Sequence, residues 1–142
     1  MPISARNVFK GKVTTIKEGL INAEVEIATS GGDKIVAMLT DASVKSLGLA
    51  NGKEVVAVIK APWVVLLAGT PEYRFSARNQ LKGVVSEVVK GAVNSQVKVT
   101  LSGGSTITAS ITNEAVAELG LKNDVSVIAL VKASHVLLGV PA

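Results

Sequence analysis

Residues Val93–Leu121 read VNSQVKVTLSGGSTITASITNEAVAELGL. The opening third alternates apolar and polar side chains, the period-2 pattern of a half-buried strand. "SGG" (Ser102–Gly104) supplies the glycines of a tight hairpin connection, and "ITASI" returns as a second strand. The pattern then changes to one short helix. Asn113, or Thr112 before it, can cap its first amides, Val116 and Leu119 lie three apart on one face, and Gly120 is placed to end it in the left-handed conformation. The chain writes this stretch twice. Residues 21–49, INAEVEIATSGGDKIVAMLTDASVKSLGL, carry the same grammar, with Ile21, Ala23, Val25 and Ile27 on one strand face, Asp41 or Thr40 at the cap and Gly48 at the stop.

Working outward, residues 3–69 align without a gap on residues 75–141, at a constant offset of 72, with 27 of 67 pairs identical. The protein is therefore read as a tandem duplication: a first domain at 3–69, a connector at 70–74 (TPEYR) and a second domain at 75–141. In each copy a strand such as "KVTTI" precedes the quoted stretch. Two more follow it, "EVVAVIKA" and "WVVLL" in the first copy, "SVIALVKA" and "HVLLG" in the second. Five short strands with one helix between the third and fourth predict an all-β chain of two tandem OB-like five-stranded β-barrels. A barrel of that size buries a modest core, so pairing and further self-association are expected.

Composition narrows the function classes. The chain of 142 residues is 48% hydrophobic with a mean hydropathy of +0.45, yet its longest apolar run, Val55–Gly69, is broken by Lys60 and Pro62. That run is also shorter than the roughly 20 residues of a spanning helix. The N-terminal residues lack the apolar core of an export signal, and cysteine is absent, which removes disulfides, thiolate catalysis and Cys-based zinc sites. The expected setting is cytoplasmic. The net charge of +4 favours anionic partners, although the basic residues are dispersed.

Catalytic constellations are missing. The one histidine, His135, has Trp63 as its repeat partner, which points to packing rather than ligation, and a lone His does not build a metal site. No carboxylate recurs at a matched position: Glu18, Glu24, Glu26, Asp33 and Glu54 face Lys90, Gln96, Lys98, Ser105 and Ser126. An enzyme is not expected, nor a metal held directly by side chains. Gly31–Gly32 and Gly103–Gly104 read as hairpin turns rather than phosphate loops. What recurs and is polar is "SARN", at Ser4–Asn7 and Ser76–Asn79, and the Lys of "KA", at Lys60 and Lys132. One Arg, one Lys, a hydroxyl and an amide per domain is a donor set for a small dianion. The same residues could instead serve strand-end salt bridges and turns. The lack of repeat-matched acids leans toward an external anion.

The second copy, "SARNQLKGVVSEVVKGAVNSQVKVTL" followed by "TNEAVAELGL" and "VKASHVLLG", resembles the molybdate-binding Mop domain, and the tandem layout resembles the two-Mop-domain molbindins. The resemblance covers both repeats. It implies cytoplasmic binding and storage or homeostasis of molybdate, and of tungstate, as the bound oxyanion, without an organic cofactor. It implies sites shared between neighbouring domains and a homotrimer of two-domain chains. The implied ligands are Ser4, Arg6, Asn7 and Lys60 in the first repeat and Ser76, Arg78, Asn79, Lys132 and Ser134 in the second, with backbone amides around Ala5, Ala61, Ala77 and Ala133. Pro62 stands where the second repeat has Ser134 and offers neither hydroxyl nor N–H, so two site classes are expected, the Pro62 class poorer in donors. Neither a nucleic-acid interface nor a membrane contact is expected. The rival readings are an OB-like module for single-stranded nucleic acid, disfavoured because no aromatic recurs in both repeats, and a regulatory module that senses the anion and docks on a partner protein.

Overall fold

The computed structural model describes residues 2–142. Each repeat opens on a long strand, β1 (Asn7–Glu18) and β6 (Asn79–Lys90). In the first repeat β2 (Asn22–Thr29), β3 (Lys34–Thr40), α1 (Asp41–Ser46), β4 (Glu54–Ile59) and β5 (Val65–Ala68) follow. Their counterparts are β7 (Asn94–Leu101), β8 (Thr106–Thr112), α2 (Asn113–Leu119), β9 (Ser126–Val131) and β10 (Leu137–Gly139). A bulge interrupts the register of β1 between Val13 and Thr15, and of β6 between Val85 and Glu87. The extra residue increases the local twist, so one long strand pairs with β4 at its start and β2 at its end. The helix caps are the threonines: Thr40 Oγ1 accepts from Ser43 N and Thr112 Oγ1 from Ala115 N, both at 3.1 Å. Asn113 turns away to donate to Gly91 O at 3.0 Å. Gly48 and Gly120 take the left-handed conformation expected of them, at φ 63° and 62°.

The sheets regroup the repeats. One sheet runs β10-β4-β1-β2-β3 and the other β5-β9-β6-β7-β8, all antiparallel. The fifth strand of each repeat therefore belongs to the other repeat's sheet, Leu66 opposite Ala129 and Leu138 opposite Ala57. Two five-stranded OB-like barrels are present, and neither is closed by its own repeat: the pairing expected of such small units includes an exchange of their fifth strands. The 3-10 turns Ala61–Trp63 and Ala133–His135 redirect the chain here. Each lands on a fourth strand with the same apolar pattern as the one it left. Leu66 and Leu138 are buried by this exchange, while their neighbours Val65 and Leu137 face outward. The core is one contiguous cluster spanning both repeats, and its most enclosed members come in repeat-matched pairs, Val25 with Val97, Ile27 with Val99, Ala57 with Ala129.

Further contacts cross the internal two-fold. The Trp63 and His135 rings stack with centroids 4.6 Å apart, the packing role expected from their shared position. The two "SGG" turns press together. Thr29 and Ser105 hydroxyls lie 2.9 Å apart, and the Asp33 carboxylate accepts from Gly103 N at 2.8 Å and Ser105 N at 2.7 Å. The approach is so close that a methyl group on Gly103 would overlap the Gly32 carbonyl oxygen and the Asp33 carboxylate. Gly103→Ala is therefore expected to destabilise the protein by about 3 kcal/mol through backbone displacement. Gly48→Ala meets no neighbour within 4 Å and should cost only about 1 kcal/mol, from its positive φ. Urea denaturation of both variants checks this; equal, small losses would show that the turns separate freely.

Candidate functional site

The segment before β1, the end of β4 and the turn after it meet over the other repeat. Ser4, Arg6, Lys60, Ala61 and Pro62 line a pocket of about 200 Å³ together with Gln96 of β7 and Ser110 of β8. The strand exchange sets up this meeting: the turn at Ala61–Trp63 must cross toward β8 before β5 can join β9. Two cations and no carboxylate line the space. Among the described residues no acid lies within 4 Å of the charged groups of Arg6 or Lys60. Ala61 is buried and opens the 3-10 turn, where the leading amide has no carbonyl partner inside the turn. Ala5 lies half-buried between Ser4 and Arg6. Gln96 Nε2 donates to Ser110 Oγ at 3.2 Å, while Gln96 Oε1 is buried without a partner. The volume holds several waters at about 30 Å³ each, or one compact oxyanion.

The second-repeat residues differ. Arg78 grips Glu24 of β2 in a two-pronged pair, Nε to Oε1 at 3.0 Å and Nη2 to Oε2 at 3.1 Å. Arg78 therefore follows the salt-bridge reading while Arg6 does not. The hydrogen bond from Arg78 holds the Glu24 carboxyl below the ordinary carboxylate range, against some desolvation and helped by the charges of Arg78 and Lys17; Glu24 in turn raises Arg78. Ser76, Lys132 and Ser134 are exposed, as Ser4, Lys60 and Pro62 are, and Ala133 is buried at the head of its turn, as Ala61 is. Gln80 Nε2 steadies the loop around Ala77 by donating to Phe75 O at 3.0 Å and Ala77 O at 3.1 Å.

The asparagines of "SARN" lie in the seam between the repeats. Asn7 and Asn79 are each only 3% exposed, and their amides are committed to backbone. Asn7 Oδ1 accepts from Thr108 N at 2.7 Å and Nδ2 donates to Thr108 O at 2.8 Å. Asn79 does the same to Val36, at 2.7 and 2.8 Å, and donates a second hydrogen to Val131 O at 3.2 Å. Each side chain acts as an extra peptide group that ties the start of β1 or β6 to β8 or β3 of the other repeat. The side-chain amides expected among the anion ligands are engaged here as clamps between repeats. Conversely, Gln96, Ser110 and Glu24 escaped the search for recurring polar residues, because none of them recurs. The available signal was the mismatch of Glu24 with Gln96 at one repeat position.

Two OB-like barrels joined by exchanged strands, with a cationic pocket where the repeats meet, define a pseudo-dimeric binding module. The TOBE-domain family model matches residues 3–66 and again 76–138. The chain belongs to the TOBE-domain family, and within it to the tandem Mop-domain molbindins. It is 43% identical over 141 residues to molybdenum-pterin-binding protein MopA of Rhodobacter capsulatus, covering 99% of this chain and 53% of that protein. It is 47% identical over 68 residues to molybdenum-pterin-binding protein 3 of Clostridium pasteurianum, covering 48% of this chain and all of that one. The crystal structure of the cytoplasmic molybdate-binding protein ModG, with molybdate bound, superposes with a TM-score of 0.92 at 58% identity, covering 99% of this chain and 100% of that one. The chain spans about half the length of MopA and of the ModE proteins it also matches.

Proposed function

We propose that the chain binds molybdate, and tungstate, as a compact dianion for storage and homeostasis in the cytoplasm, as a binding protein without catalytic chemistry. The observation that carries this is the convergence of Ser4, Arg6, Lys60 and the Ala61 turn in one acid-free pocket of about 200 Å³. Arg contributes a donor fork, Lys a point charge, and Ser4 and Ser110 hydroxyls. Gln96 adds its amide; its oxygen and nitrogen are interchangeable in assignment, and the turned amide aims N–H groups at the anion while Oε1 accepts from Ser110. The pocket is smaller than the roughly 300 Å³ at which sites for organic ligands begin, and no aromatic lines it. Both features favour an oxyanion over a pterin ring. No aromatic recurs in both repeats and the basic residues are dispersed, which disfavours a base-stacking groove.

Calorimetric titration with molybdate, with and without excess sulfate, tests the reading. Saturable uptake that survives sulfate is expected, and none at millimolar molybdate would end it. Self-association as a homotrimer, with further sites completed between chains, fits the exposed Val65 and Leu137 on the exchanged strands. Cations gathered at an interface repel until an anion joins them, so molybdate should raise the melting temperature by several degrees where chloride at equal ionic strength does not. The half-length coverage of the ModE proteins, one of them a transcriptional regulator, keeps a second reading in view: the same module as the anion sensor of a longer protein.

A further inference from the structure

The internal two-fold relates two cradles whose chemistry is unequal. Around Arg6 stand Lys60, Gln96 and Ser110; the residues 72 positions from these four are Arg78, Lys132, Glu24 and Met38, and of them Glu24 is bonded to Arg78. The formal charge of the first set is +2 and that of the matching set +1, since Glu24 cancels one cation. Glu24 also takes the Nε–Nη2 edge of the guanidinium, at 3.0 and 3.1 Å, the edge that two oxygens of a tetrahedral anion would use.

We propose that Glu24 is an affinity-determining residue that occupies the Arg78 cradle as an intrachain stand-in for the oxyanion, so that the Arg6 cradle fills first and the Arg78 cradle only after Glu24 is displaced. The inference rests on the oxyanion reading above. Displacement breaks the two-pronged pair and leaves a carboxylate beside a dianion. Gln96, neutral, imposes no such repulsion on the Arg6 cradle, and its unpartnered amide end is available to turn. Ser134 does offset part of the difference, because it supplies a hydroxyl and N–H that Pro62 lacks. A neutral hydrogen bond returns about two- to tenfold in affinity. A like charge a few ångströms from a dianion removes about tenfold or more even at the dielectric of water, and more in a pocket. To this is added the broken Arg78–Glu24 pair. The order expected from Pro62 alone is thereby reversed.

Two measurements on the whole protein test this. In molybdate calorimetry the wild type should resolve two affinity classes. Glu24→Gln, which keeps the shape and removes the charge, should tighten the weaker class by about tenfold, and Gln96→Glu should weaken the tighter class by about tenfold. Independently of molybdate, the Arg78 Nε–H resonance of the anion-free protein should be sharp and shifted downfield by its carboxylate partner, and should move on Glu24→Gln. A wild type that binds with Glu24→Gln unchanged overturns the proposal and leaves the oxyanion reading standing. An Arg78 resonance indifferent to Glu24→Gln overturns the latch itself. A wild type that takes up no molybdate removes the oxyanion reading, and the proposal with it.

Discussion

Asn79→Ala is expected to cost about 3–5 kcal/mol of folding free energy, a large share of the roughly 5–15 kcal/mol of a typical domain. The alanine leaves Val36 N–H, Val36 C=O and Val131 C=O without the partners that Asn79 supplies, in a position only 3% exposed. Each stranded group forfeits about 1–3 kcal/mol, less whatever water can reach it. Asn7→Ala removes two bonds rather than three, both to the half-buried Thr108, and should cost about 2–3 kcal/mol. Urea unfolding of the pair gives the ranking as well as the size. A loss below about 1 kcal/mol at Asn79 would mean that the clamp is incidental and would reopen its amide as a ligand.

Arg6→Ala is expected to lower molybdate affinity at the tighter class by about ten- to a hundredfold, since a hydrogen bond to a charged group contributes about 1.5–3 kcal/mol. Arg6→Lys should recover part of this, because it restores the charge without the fork. The anion-free protein should unfold at the wild-type midpoint or slightly above it. Arg6 forms no ion pair among the described residues and shares its pocket with the like-charged Lys60. Calorimetry and a melting curve on one preparation separate a binding defect from a folding defect. Unchanged affinity would remove Arg6 from the site.

Local structure was legible in this sequence because local chemistry determines it. Alternation in "INAEVEIA", the glycines of "SGG", the threonine caps and the stops at Gly48 and Gly120 each act within a few residues. The strand exchange was not legible. "EVVAVIKA" and "SVIALVKA" offer almost the same edge, so the run at Val65–Ala68 carries no mark of which one it joins. The same blindness hid the clamping contacts of Asn7 and Asn79. A polar residue repeated at a strand start looks like a ligand until the opposing strand of the other repeat is known to lie over it. Arg6, Lys60, Ser4 and Ala61 were legible as a set because their chemistry recurs, and the fold brings them to one pocket. Gln96 and Glu24 were visible only as a mismatch, and its meaning required knowing which arginine each one faces.

The crossing of the fifth strands has a consequence for divergence. Were the same handshake made by two copies of a single-repeat chain, every substitution would appear on both sides of the two-fold, and Glu24 could not face Arg78 without another glutamate facing Arg6. The connector at residues 70–74 replaces an encounter between chains with a tether, whose effective concentration is of millimolar order for short flexible linkers. Covalent fusion thus frees the two sides from copying each other. One half can keep its cradle open while the other acquires a built-in competitor, a division of labour that a strict homodimer has no way to encode.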